Sequence, residues 1–200
     1  MEPLEIKEKI GEIKEGNEGS GSSINLRIGL LIAALAALLA LLEAGGKSAQ
    51  TEAINANVKA SDLWAFFQSK TARMTTLRTA AETAKLTLLG DLPAETKTAV
   101  QKQIDAWNAT AERYDSEPQT GEGRKELTER AKEAEAERDH KLAAYHLFEL
   151  GSAASQLAIV LASAAIITGL MFLVYLAGMF GIAGIGLGLI AWLAPTMLHL

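Results

Sequence analysis

The sequence predicts an all-α integral membrane protein with three transmembrane helices and a long antiparallel helical stalk of coiled-coil character. Three observations carry this expectation. From Leu150 to Leu200 there is no Asp, Glu, Lys or Arg, and every charged residue lies between Glu2 and Glu149. A second uncharged run covers Ile28 to Leu42. Between these runs, small and apolar residues recur at alternating intervals of four and three from Ala49 to Leu88. A hydrocarbon core of about 30 Å takes about 20 helical residues to cross, so the terminal run holds two crossings and a tight turn. A rhythm of about 3.5 residues lets one helix lie along another in a left-handed supercoil.

Residues 1–25 read as an acidic N-terminal tail. The echo Glu5-Ile6-Lys7-Glu8 and Glu12-Ile13-Lys14-Glu15 sets Ile6, Ile10 and Ile13 on one helical face. The glycine- and serine-rich stretch Gly16 to Ser23 is expected to end that helix and act as a tether. Two readings stand for the tail, a frayed surface segment and a small helix that docks on a partner.

Residues 26–43 form the first expected crossing, bracketed by Arg27 and Glu43. A signal-peptide core of this length wants a positive leader, whereas six glutamates here outnumber Lys7, Lys9 and Lys14. Arg27 can snorkel to the interface, so a retained helix covers most of the bilayer.

Residues 44–150 form the stalk. Its seam reads Ala49, Ala53, Ala56, Ala60, Leu63, Phe67, Lys70, Met74, Leu77, Ala81, Ala84 and Leu88, with Lys70 the one charge. Gly90-Asp91-Leu92-Pro93 stops the helix. A shorter amphipathic stretch follows through Val100, Ile104, Trp107, Ala111 and Tyr114. The segment Asp115 to Gly123, with Pro118, reads as a loop. From Arg124 good helix formers run without a breaker towards the second crossing. At 1.5 Å per residue the ascending helix spans about 65 Å and the two returning pieces about 30 and 40 Å. That ruler sets Trp64 and Phe67 opposite Ala131 and Ala134, large against small.

The second crossing is expected over residues 151–177 and the third over 178–196, with a turn at Ala177-Gly178. Ala154, Ala158 and Ala162 recur every fourth residue, and Gly184 and Gly188 make a G-x-x-x-G. Lipid gives no hydrophobic drive between helices, so small residues serve close approach, either inside one three-helix bundle or between protomers. The polar candidates in these crossings, among them Ser155, Ser163 and Thr168, are expected to bond a neighbouring helix. Absence of ionisable groups there speaks against an ion-coupled carrier.

Chemistry is sparse. The balance of 24 acidic and 19 basic residues, a net charge of −5, argues against nucleic acid as a partner. Without cysteine there is no disulfide, thiol nucleophile or cysteine metal site. His140, His146 and His199 show no metal spacing, and His146 with Glu149 reads as an interfacial belt beside Tyr145 and Phe148. No phosphate loop and no G-x-S-x-G turn occurs. The expectation is a protein that is not an enzyme, with no catalytic residues, no cofactor and no metal.

The most distinctive short stretch is Trp64-Ala65-Phe66-Phe67-Gln68-Ser69-Lys70. It stands about 27 Å above the membrane edge, too high for an aromatic belt. Three aromatics in four positions cannot share one seam, so one of them needs a second surface, the return helix or another protomer. On Asp62, Trp64, Phe66, Phe67, Gln68 and Lys70, and on the order of tail, crossing, stalk and two terminal crossings, the chain resembles the bacterial membrane proteins grouped as domain of unknown function 4337. Phenylalanine stands at both places where the family pattern would have tyrosine, which removes hydroxyls from them. The resemblance implies a bacterial membrane location and brings no activity.

The resulting expectation is an oligomeric scaffold or accessory subunit of a membrane assembly, with a pore or transporter as the alternative. Its packing or interaction residues are Trp64, Phe66, Phe67, Gln68, Lys70, Gly184 and Gly188. Expected partners are membrane lipid, further copies of the chain, and a protein bound through the stalk or tail. Arg138 and Lys141 ahead of the second crossing, with no charge after it, favour a cytoplasmic stalk in a multi-pass inner-membrane protein.

Overall fold

A computed structural model describes the backbone of residues 3–197 and the side chains of residues 23–197. Its helices are α1 (Pro3–Thr87), α2 (Ala94–Asp115), α3 (Arg124–Thr168) and α4 (Met171–Leu193), followed by a single 3-10 turn, Pro195–Met197. The described residues contain no strand. Three of the helices are long and apolar enough to cross a membrane, and α1 is far longer than a crossing needs. The chain divides into two units, one of Met1–Thr51 with His140–Leu200 and one of Glu52–Asp139.

In the unit Glu52–Asp139 the four-and-three rhythm of α1 is the buried face. Ala53, Ala56, Ala60, Leu63, Lys70, Met74 and Ala81 are buried, and Phe67, Leu77, Ala84 and Leu88 are half-buried. Helix α3 runs antiparallel to α1: Lys59 pairs with Glu137, Trp64 with Glu135 and Met74 with Arg124. Leu127, Ala131 and Ala134 face Ala60 and Leu63, with Trp64, Phe66 and Phe67 packed against the same cluster. This is the large-against-small pairing that chain lengths alone predict. Helix α2 presents Ile104 and Ala111 as its buried positions, with Val100, Trp107 and Tyr114 half-buried on the same face.

In the unit Met1–Thr51 with His140–Leu200, α1 continues its rhythm through Ile28, Leu35 and Leu42, each buried and seven residues apart. Ile28 and Leu35 pack with Ala158 and Ala162 of α3 and Ala177 of α4. The buried face of α4 is Ala177, Gly181, Gly184, Gly188 and Ala191, again spaced four and three. The opposite faces carry large apolar side chains that no other residue covers, including Phe172, Ile182 and Trp192.

Two expectations are corrected. Helix α1 extends through Gly16–Ser23 rather than ending there. No proline occurs between Pro3 and Pro93. Glycine and serine lower helix propensity, but neither removes a backbone donor. The tail is therefore not a segment separate from the first helix; the side chains of Ile6, Ile10 and Ile13 lie outside the described residues, as does His199.

The second correction moves the turn between the last two helices from Ala177-Gly178 to Gly169-Leu170. Gly169 adopts φ +71, and its N–H donates to Ala165 O at 2.9 Å. Thr168 Oγ1 accepts the Leu170 N–H at 3.4 Å. A left-handed residue after a helix is cheap only for glycine. Gly178 remains helical, and Ala177 is fully buried.

Candidate functional site

The conspicuous residues of the sequence fall into two clusters, one in each unit. The first is built around Trp64-Phe66-Phe67-Lys70 in α1. The Trp64 indole N–H donates to Glu135 Oε1 at 2.9 Å, and its ring meets Phe67 edge-on with centroids 5.5 Å apart. Such edge contacts are worth about 0.5–1.5 kcal/mol beyond the area they bury.

Lys70 is buried, 6% exposed, so it does not snorkel past its neighbours. Its Nζ lies 5.1 Å from the Phe66 ring centroid and 5.1 Å from that of Tyr114, with Glu122 Oε2 at 3.6 Å. A cation desolvated between aromatic faces is stabilised by their quadrupoles, by about 2 kcal/mol in favourable cases. Phe66 is the aromatic that cannot join the α1 seam directly. Its second surface is internal, made by Lys70 with Tyr114 of α2.

Arg124, the first residue of α3, completes this cluster. Its guanidinium stacks over Phe67 at 4.9 Å and Nη1 reaches Asp115 Oδ1 at 3.3 Å. Its Nε is buried without an acceptor. Nearby, Ser116 Oγ donates to Glu126 Oε1 at 2.7 Å and the Glu117 N–H donates to Oε2 at 3.1 Å. The Ser116 hydroxyl is the chief cause that holds the Glu126 carboxyl below its ordinary value. Gln68 lies outside the cluster and is exposed.

The second cluster is the α4 glycine stripe. A Cβ at Gly184 would meet Ser155 Oγ at 2.7 Å and Gly151 O at 3.1 Å, both on α3. A Cβ at Gly188 would meet Leu42 Cδ2 at 2.5 Å, on α1. The G-x-x-x-G face is thus occupied by helices of the same chain. The hydroxyls of Ser155, Ser163 and Thr168 donate to the carbonyls of Gly151, Ile159 and Ala164, four residues back in their own helix. The expectation of bonds to a neighbouring helix is corrected: a hydroxyl on an apolar helix finds its nearest free lone pair on its own preceding turn.

The sequence places Tyr114 on the apolar face of its helix without a partner, and assigns no contact to Glu122, Glu135 or Arg124, since each is one of many charged residues. Their roles follow from which turn of α1 each return helix meets. His146 Nδ1 lies 3.8 Å from Glu149 Oε2, a contact within one helix.

The geometry defines an all-helical protein, with three helices capable of crossing a membrane, whose distinctive side chains are spent on helix packing. The chain belongs to the family described as Domain of unknown function (DUF4337), whose profile matches residues 24–194. Comparison with curated proteins and with solved structures gives no match.

Proposed function

We propose that the protein is a multi-pass component of the bacterial inner membrane that works as a homo-oligomeric scaffold or accessory subunit of a membrane assembly, without catalysis of its own. In this reading residues 44–150 are a coiled-coil stalk on the cytoplasmic side. The orientation is supported by Arg138 and Lys141 ahead of the second crossing.

The observation that carries the proposal is a second rhythm on α1, outside its buried seam. Ala33, Ala37, Ala40, Ala44, Lys47, Thr51, Ile54, Val58, Ser61 and Ala65 follow one another at four and three, and all are exposed. Ile54 is 57% and Val58 53% exposed, although a water-soluble helix with a free choice would place polar residues there. Small residues in lipid and β-branched residues above it are what two helices need to approach closely along a 3.5-residue seam. A second copy meeting α1 through this face satisfies both halves at once. A pore has less support, because the hydroxyls of Ser163 and Thr168 are occupied by their own helix.

The test is the native mass of the detergent-extracted protein, combined with disulfide trapping in the cysteine-free chain. The proposal expects a discrete multimer and a disulfide between copies of Val58→Cys, with none from Ala131→Cys, which is fully buried. A single-chain mass with no trapping at position 58 refutes it.

A further inference from the structure

A groove of about 500 Å³ opens in the unit Met1–Thr51 with His140–Leu200, between α1 and α3. Its position follows from Gly45 and Gly46. A Cβ at Gly45 would run into the Phe148 ring at 2.8 Å, and one at Gly46 would lie 3.3 Å from Phe148 Cβ. With α1 stripped of side chains there, Phe148 fills the gap and the flanking residues stand apart as walls.

Those walls carry charge of both signs. Glu43 and Lys47 line the groove from α1, and Tyr145 and Glu149 from α3. Glu43 is the first charged residue after the run Ile28 to Leu42, and Glu149 is the last before the run Leu150 to Leu200. The groove therefore lies where two apolar spans begin, and its lining changes from charged to apolar at Leu42 and Ala153.

A separate observation comes from Gln156. It lines the same groove, lies inside the uncharged run, is exposed, and makes no hydrogen bond to another described residue. A carboxamide facing hydrocarbon is costly unless something pairs with it. It lies seven residues beyond Glu149, about 10 Å along the helix at 1.5 Å per residue. That distance matches the separation of an ethanolamine nitrogen from the ester carbonyls of the same lipid.

We infer that this groove is a binding site for a phospholipid with a primary-ammonium headgroup, phosphatidylethanolamine. The ammonium donates to Glu43 and Glu149, and Gln156, on the side of the apolar runs, donates to an ester carbonyl; Lys47 and Tyr145 lie one turn farther from those runs and close the outer end of the groove. His146 stands 3.8 Å from Glu149 and leaves its other oxygen free. Two carboxylates against one lysine select a headgroup that brings a hydrogen-bonding cation. Phosphatidylcholine has a cation without N–H donors, and phosphatidylglycerol has none. The site rests on the membrane reading above, and does not depend on the number of copies.

The test reconstitutes the full chain in vesicles of equal parts phosphatidylethanolamine, phosphatidylcholine and phosphatidylglycerol, then counts lipids retained per chain by native mass spectrometry after detergent extraction. The expected result is one phosphatidylethanolamine per chain, favoured about tenfold or more over the other two lipids. Glu43→Gln with Glu149→Gln abolishes the preference. Gln156→Leu, which suits an apolar span and so keeps the protein folded, lowers retention while leaving the order of headgroups unchanged. Equal retention of the three lipids, or an unchanged preference in the double variant, overturns the inference. The same spectra report the copy number separately, so a monomer that still selects phosphatidylethanolamine refutes the oligomer and leaves the site standing.

Discussion

Replacing single glycines of α4 by alanine measures directly which face of that helix meets the rest of the chain. Every Gly→Ala change inside a helix gains intrinsic propensity, up to about 1 kcal/mol. At Gly186 the new methyl has nothing within 4 Å, so the gain stands alone. At Gly184 it lies 2.7 Å from Ser155 Oγ and 3.1 Å from the Gly151 carbonyl, and the carbonyl cannot rotate away. The helices must separate by several tenths of an ångström, an overpacking that costs about 1–3 kcal/mol. Because the propensity gain is common to both variants, their difference isolates the clash and should be about 1–3 kcal/mol. Gly181→Ala should fall between them, since its obstacle is the movable end of Leu35. Reversible unfolding in mild detergent micelles reads the series. Gly184→Ala as stable as Gly186→Ala would mean that the stripe faces lipid or another copy, and the packing described for α4 would be wrong.

Other perturbations have defined outcomes. Leu127→Ala empties a fully buried position under the aromatic cluster and should cost about 2–5 kcal/mol in chemical denaturation. Glu135→Gln weakens the charge-assisted bond from the Trp64 indole and should shift the tryptophan emission without unfolding the chain, whereas Glu137→Gln, at an exposed pair with Lys59, should change stability by under about 1 kcal/mol. Glu126 has a folded-state pKa lowered by its bond from Ser116. Its contribution to stability is therefore complete above the unfolded carboxylate value, about 4.3, and is lost as pH falls through the lower folded value. Ser116→Ala should reduce that acid-side loss in urea titrations carried below the unfolded carboxylate value; an unchanged pH slope contradicts the assignment.

Much of this arrangement is readable from residue order. The seam from Ala49 to Leu88 is legible because burial repeats every 3.5 residues whatever the partner, and the pairing of Trp64 and Phe67 with Ala131 and Ala134 follows from helix rise alone. The turn at Gly169 was not legible. Six glycines occur from Gly169 to Gly188 on an apolar background, and only the left-handed conformation at one of them marks the break. The extension of the seam into Ile28, Leu35 and Leu42 was hidden for a similar reason, since nearly every residue around them is apolar and periodicity vanishes without contrast. At the aromatic cluster the sequence marks the α1 side, and the partners Tyr114, Glu122 and Arg124 are set by where the α2–α3 loop falls, which no local pattern encodes.

The central claim is that three apolar stretches cross a bilayer and leave residues 52–139 in water on one side. Single cysteines in the otherwise cysteine-free chain, labelled in sealed proteoliposomes with a membrane-impermeant maleimide, test it most directly. The account predicts that Ser61→Cys reacts from one face only, that Ser23→Cys and Gly169→Cys react from the opposite face only, and that Ala183→Cys, exposed on α4, stays unlabelled until detergent is added. Labelling of positions 61 and 169 from the same face, or of position 183 in intact vesicles, would contradict it.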